Sequence, residues 1–206
     1  MRTKATAIGA TLVALAVLCA MFATSASAAP AWKFEGKSLE GTEVVLGGAI
    51  ESSMTIPGLT TKCEDFLYKL TVENASGTGK GSLTEMPLYN CTTNSKVCSV
   101  STIGAEKLPW ASKLTTVETI PYIIIEGVKV SIYYLGSKCV LDETLVTVTG
   151  SAGGSIDNTA ETATFNASTL SASKTELKAL SQKIEWNGLF PTEAFQWHRE
   201  QALSVS

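Results

Sequence analysis

A chain of 206 residues with 19 acidic and 16 basic side chains carries a formal charge of −3, scattered without a run of either sign. That balance excludes the basic stripe that nucleic acid requires and the polybasic patch that anionic lipid attracts. One histidine and five cysteines leave a thin stock of the usual catalytic side chains.

The N-terminus opens with Arg2 and Lys4, continues as an apolar run over residues 8–22, and reaches Ala26-Ser27-Ala28. A basic start, a short apolar segment and an A-x-A site read as a secretory signal peptide over residues 1–28. A retained membrane anchor would need a longer apolar run. A lipid anchor on Cys19 would need a small residue where Leu18 stands. Cleavage after Ala28 leaves residues 29–206, with 14 basic against 19 acidic side chains and a net charge of −5. A chain of that size forms one domain that hides roughly 70% of its unfolded surface, so disulfides supplement a core and do not replace it.

Residues 32–36 and 42–46 read as short strands parted by a turn at Gly41, and 49–56 as a third strand ended by Pro57-Gly58. Phe66, Tyr68, Leu70 and Val72 alternate onto one face. Their return arm is 81–90, which Pro87 confines to an edge or a bulge. Further strands are expected over 97–103 and, after Leu108-Pro109-Trp110, over 111–119. The stretch 119–141 is the densest: Ile120, Ile123, Ile124 and Ile125 precede Glu126-Gly127. Val128, Val130, Ile132 and Tyr134 then alternate with Lys129, Ser131 and Tyr133. It reads as an antiparallel hairpin turning at Gly127. Residues 144–149 alternate again, 150–158 read as a flexible Gly-rich loop, and 163–165, 183–186 and 195–198 read as strands. Residues 174–180 are the one expected helical turn. Many short strands with turn signals about every ten residues predict an all-β antiparallel sandwich, with a β-barrel as the alternative.

Four cysteines remain after processing: Cys63, Cys91, Cys98 and Cys139. An even number in an exported chain implies two disulfides. Opposed residues of an antiparallel hairpin share a constant index sum, and the turn segment 74–79 is centred on Gly77, midway between Cys63 and Cys91. A regular hairpin there sets those two across from each other, and Cys98–Cys139 follows by elimination. A zinc site lacks CxxC spacing and ligand histidines.

The export signal, the spaced cysteines, Leu108-Pro109-Trp110 and the ending Gln201-Ala202-Leu203-Ser204-Val205-Ser206 together resemble a loose group of uncharacterised secreted β-rich proteins of soil actinomycetes. No activity is attached to that group. The resemblance implies a bacterial exported protein, in which the sequons at Asn74, Asn90 and Asn166 are silent; in a eukaryotic pathway they would mark exposed sites.

A catalytic triad would have to recruit His198, which its neighbours Phe195 and Trp197 place as a surface or rim residue. No GxSxG elbow or HExxH occurs. Glycoside hydrolysis needs two carboxylates about 5–9.5 Å apart. The adjacent pairs Glu64-Asp65 and Asp142-Glu143 point to opposite faces if they lie in strands. Asp157, Asn158 and Glu161 could offer oxygens to calcium, but their spacing fits a polar turn. Gly150, Gly153 and Gly154 lack the strand–helix setting of a phosphate cradle. No catalytic residue, metal ligand or cofactor is therefore assigned.

Trp186, Phe190, Phe195 and Trp197 form the candidate ligand platform, since rings on a β face stack on sugars or on a partner protein. The simpler role for them is to fill the core. The expected function is an exported, non-enzymatic extracellular or cell-envelope binding or structural module, whose candidate partner is an envelope glycan or protein. The alternative is a secreted carbohydrate-active hydrolase using paired carboxylates. The module needs an exposed aromatic or flat polar surface, and the hydrolase a cleft holding two acids.

Overall fold

The computed structural model describes residues 29–206 apart from Glu35, Gly41, Ala75, Ser76, Thr192, Trp197 and His198. Residues 1–28, which the sequence reads as a signal peptide and which include Cys19, lie outside the described residues, as do Trp197 and His198. In chain order the strands are β1 (Trp32–Phe34), β2 (Lys37–Ser38), β3 (Thr42–Ile56), β4 (Leu59–Glu73) and β5 (Lys80–Glu85). They continue with β6 (Cys91–Thr93), β7 (Ser99–Ala105), β8 (Trp110–Val117), β9 (Ile120–Leu135) and β10 (Thr144–Asp157). The last are β11 (Thr162–Phe165), β12 (Leu177–Ala179), β13 (Gln182–Pro191), β14 (Glu193–Gln196) and β15 (Arg199–Val205); the short helix α1 (Ala167–Ala172) joins β11 to β12.

The fold is all-β and antiparallel, and its main sheet closes on itself. Hydrogen bonding runs β3–β4–β5–β8–β9–β10, crosses through β11 and β12 to β13, and returns to β3. Of the two architectures open to the sequence, this ring is the barrel. Closure pairs the long strands on both sides and removes most of the free edges a flat sheet would leave. Along β9 and β10 the inward residues are apolar, with Val130, Ile132, Val146 and Val148 fully buried. Charged side chains such as Lys113, Glu126 and Lys129 stay partly exposed and pair across strands on the outer face. A membrane-spanning barrel has the reverse arrangement. Among the described residues no helix is long and apolar enough to cross a membrane.

Glu126-Gly127 is not a hairpin turn, contrary to the sequence reading. β9 continues through it, and β10 pairs along its length from Thr144 opposite Tyr134 to Ser155 opposite Tyr122. Gly127 is an extra residue: Val128 lies opposite Gly150, and Glu126 opposite Ser151. Its φ of 74° suits glycine at no steric cost, as a β-bulge requires. The bulge moves the inward positions from Ile123 and Ile125 to Val128, Val130, Ile132 and Tyr134, so both halves of β9 face one core.

Nor is the Gly-rich segment a flexible loop, because residues 150–157 are the second half of β10. Gly150 has a φ of 138°, and a Cβ there would collide with the Glu176 carbonyl. That carbonyl accepts the Ser151 N–H at 2.9 Å. Glycine here permits close approach and does not confer looseness.

The expected helical turn at 174–180 is also corrected. Leu177 and Ala179 are buried and Lys178 is exposed, a period of two that puts them in strand β12. The helix lies earlier, where Asn166 caps it by accepting the Thr169 N–H while the Thr169 hydroxyl accepts the Asn166 N–H.

A four-stranded sheet in the order β14–β15–β1–β2 joins the first and last strands of the described residues. Trp32 stands opposite Val205, and Ala31 and Ser206 exchange backbone hydrogen bonds. Two asparagines pin this sheet. The Asn74 amide accepts the Trp32 N–H at 2.8 Å and donates to the Trp32 carbonyl at 2.7 Å. Asn158 does the same for Val205, at 2.8 and 2.6 Å. Trp32, 3% exposed, then reaches into the barrel interior.

Both disulfides form as read. Cys63 and Cys91 are opposed residues of β4 and β6, and Cys98–Cys139 ties the start of β7 to the loop between β9 and β10. Two such bonds fit an oxidising compartment.

Candidate functional site

Two surfaces compete for a functional role: the barrel interior and the outer face of β13. In the interior, Trp186 stacks on Phe165 with centroids 5.4 Å apart, and Phe190 meets both rings edge-on at 4.7 and 5.8 Å. Tyr68 closes on Phe190 at 5.7 Å, and its hydroxyl pKa is pushed up by burial. The Trp186 indole N–H donates to the Ser52 hydroxyl at 2.7 Å, with both groups buried.

Trp186 and Phe190 are therefore not a surface platform, contrary to the candidate role given them by the sequence. Their side chains are 1% and 7% exposed because both positions face the barrel core. The side chain of Phe195 lies outside the described residues, although its backbone belongs to β14. The rings, with Trp32, Ile123 and Ile156, surround an apolar cavity of about 40 Å³. Ligand pockets run to about 300–1,000 Å³, so this void is a packing remainder.

The outer face of β13 differs. On one side of α1 an open pocket of about 320 Å³ is bounded by Ser53, Thr164, Asn166, Asn187 and Leu189. On the other side a second, of about 330 Å³, is bounded by Leu170, Thr175, Glu176, Lys183 and Glu185. Register explains the convergence. Asn187 stands directly opposite Ser53 on β3, and Leu189 directly opposite Thr164 on β11. Residues 183, 185, 187 and 189 share one strand face by the two-residue period. Sequence reasoning missed this site, and the available signal was the polar alternation of Lys183, Glu185 and Asn187 along a strand whose other face is aromatic.

Electrostatics separate the two pockets. Glu176 accepts from Lys178 and Lys183, each at 2.7 Å, and its carboxyl is held below the usual range first by the Lys178 hydrogen bond, then by Lys183. Its stabilising contribution is present above the unfolded carboxylate value, about 4.3, and is lost as pH falls through the lowered folded value. Glu106, on the far outer face, is held low in the same sense by Lys129 and then by the Ser131 hydroxyl. Asp157 is held low by the Ala160 and then the Thr159 N–H groups. A glycosidase acid needs its pKa raised, and these three shift the opposite way.

The other sequence candidates take structural places. Asp157 accepts the Thr159 and Ala160 N–H groups and closes a turn, while Asn158 is engaged with Val205. Asp142 accepts the Gly136 N–H at 2.7 Å within the loop that holds Cys139. Glu64 is exposed on β4, and the side chain of Asp65 lies outside the described residues. Among the sequons, Asn74 spends its amide on the Trp32 backbone and Asn166 its side-chain oxygen on the α1 cap, whereas Asn90 is exposed. No protein-family model, no curated protein and no solved structure matches this chain.

Proposed function

We propose that the chain is a bacterial exported protein, akin to the secreted actinomycete group, that works as a non-enzymatic extracellular or cell-envelope binding module. The leader at 1–28 directs it out of the cell, and the two disulfides suit the compartment it reaches. One observation carries the binding role. The barrel interior leaves only about 40 Å³, whereas the outer face of β13 offers pockets of about 320 and 330 Å³. Recognition therefore takes place on the outside of a filled barrel. Co-sedimentation with washed bacterial cell-wall material tests this. Oxidised mature protein is expected in the pellet in a saturable manner, displaced by unlabelled protein. Complete recovery in the supernatant at every wall concentration would end the reading.

A further inference from the structure

We infer that the pocket formed by Ser53, Thr164, Asn166, Asn187, Gly188 and Leu189 is a subsite for an uncharged sugar unit of a glycan. The inference rests on the binding-module reading and gives that module a contact site and a ligand class.

The lining is wholly neutral: two carboxamides, two hydroxyls, a glycine and a leucine, beside Phe165. Asn187 presents donors and an acceptor in one plane, Asn166 presents its NH2 donors, and each hydroxyl donates and accepts at once. Sugar hydroxyls have that same dual character, so neighbouring hydroxyls on a ring can be matched without any charge. Phosphorylated or uronic ligands would leave their charge unanswered in this pocket.

These groups are also unspent. None of the described residues hydrogen-bonds the side chains of Ser53, Thr164 or Asn187. Asn166 uses its oxygen on the Thr169 N–H and the Ser168 hydroxyl, and none of the described residues takes up its NH2 group. All four are half-buried, so they are fixed in place yet open to a ligand.

Position is set by the sheet. Directly opposed residues of antiparallel strands hold their Cβ atoms about 4.5–5.5 Å apart, so Asn187 pairs with Ser53 on one edge of β13 and Leu189 with Thr164 on the other. Leu189, 42% exposed, gives an apolar wall for the C–H face of a ring while the Asn187–Ser53 pair meets its hydroxyls. Asn166, fixed as the cap of α1, closes the third side. Groups held on strands and by a cap lose little freedom on binding.

Isothermal titration of the mature protein with maltohexaose, cellohexaose and chitohexaose tests the assignment, using wild type, Asn187→Leu and Thr164→Val. At least one neutral hexasaccharide should bind saturably and equally well in 0.05 and 0.5 M NaCl. Each variant should weaken it about tenfold, the usual effect of removing one partner of a hydrogen bond. Both substitutions lie on the outer face, and an unchanged melting temperature confirms that the fold survives. Binding that neither variant weakens would overturn the pocket. Failure of all three sugars while the wild type still sediments with cell wall would overturn the sugar subsite and leave the module reading standing. Failure of both assays would remove both.

Discussion

Trp186→Ala should lower the melting temperature by roughly 6–20 °C. Truncating a buried tryptophan costs about 3–5 kcal/mol, and a domain of this size loses about 2–4 °C per kcal/mol. Trp186 warrants the upper part of that range because three losses coincide. The ring is 1% exposed and touches both Phe165 and Phe190, so a large apolar surface disappears. The space left would merge with the existing cavity, which the same rings border. The Ser52 hydroxyl, 2% exposed, would lose its indole partner and stay buried without one. Trp186→Phe keeps a six-membered ring but loses the indole N–H together with part of the ring volume; the unpaired Ser52 hydroxyl alone should cost about 1–3 kcal/mol. Thermal unfolding followed by circular dichroism decides the matter. A Trp186→Ala protein as stable as wild type would mean that the ring stands on the surface.

Reduction of both disulfides should bring the domain to the edge of unfolding. The bonds close loops of 28 and 41 residues that do not overlap in sequence. In the chain-entropy account, each restricts the unfolded chain by about 3.5–4 kcal/mol. Together they approach the whole net stability of an ordinary domain, about 5–15 kcal/mol. The bonds also act locally. Cys63–Cys91 fastens the three-residue strand β6 to β4, and Cys98–Cys139 ties β7 to the loop after β9. Urea denaturation with and without a phosphine reductant measures the effect. The midpoint should fall steeply on reduction, and Cys98→Ala with Cys139→Ala should account for about half of the fall. An unchanged midpoint would show that the core alone sustains the barrel.

Local pattern was readable in the sequence wherever strand residues alternate. Val128 to Tyr134 and residues 144–148 declared their inward faces, and the index sum centred on Gly77 located Cys91 opposite Cys63. The ladder beside the turn is one residue off that register, with Glu73 opposite Lys80, and a bulge between Lys69 and Leu70 restores it before Pro87 splits the arm into β5 and β6. Glycine was the main source of error. Gly127 in a bulge and Gly150 under a crossing carbonyl leave the same trace in a sequence as glycines in turns. Barrel closure was not legible because it depends on pairings such as β13 with β3, joining residues 188 and 52, that no local pattern encodes. The pocket over β13 depends on those same pairings. Ser53, Thr164 and Asn187 are ordinary polar residues until the register sets Ser53 and Thr164 on either edge of β13. Trp186 and Phe190 take the simpler of their two readings, core filling and not a ligand platform, since alternation alone does not say which face is wet.

A ligand of this barrel, whose inside is already full, is expected to touch its outer face. Amide chemical-shift mapping of isotopically labelled mature protein, titrated with solubilised cell-wall polysaccharide, tests this most directly. The expected result is a compact set of shifts at Ser53, Thr164, Asn187 and Leu189, with the cavity-lining Ile123 and Ile156 unmoved. Shifts centred on Ile123, Ile156 and Phe190, marking entry of the ligand into the interior, would contradict it.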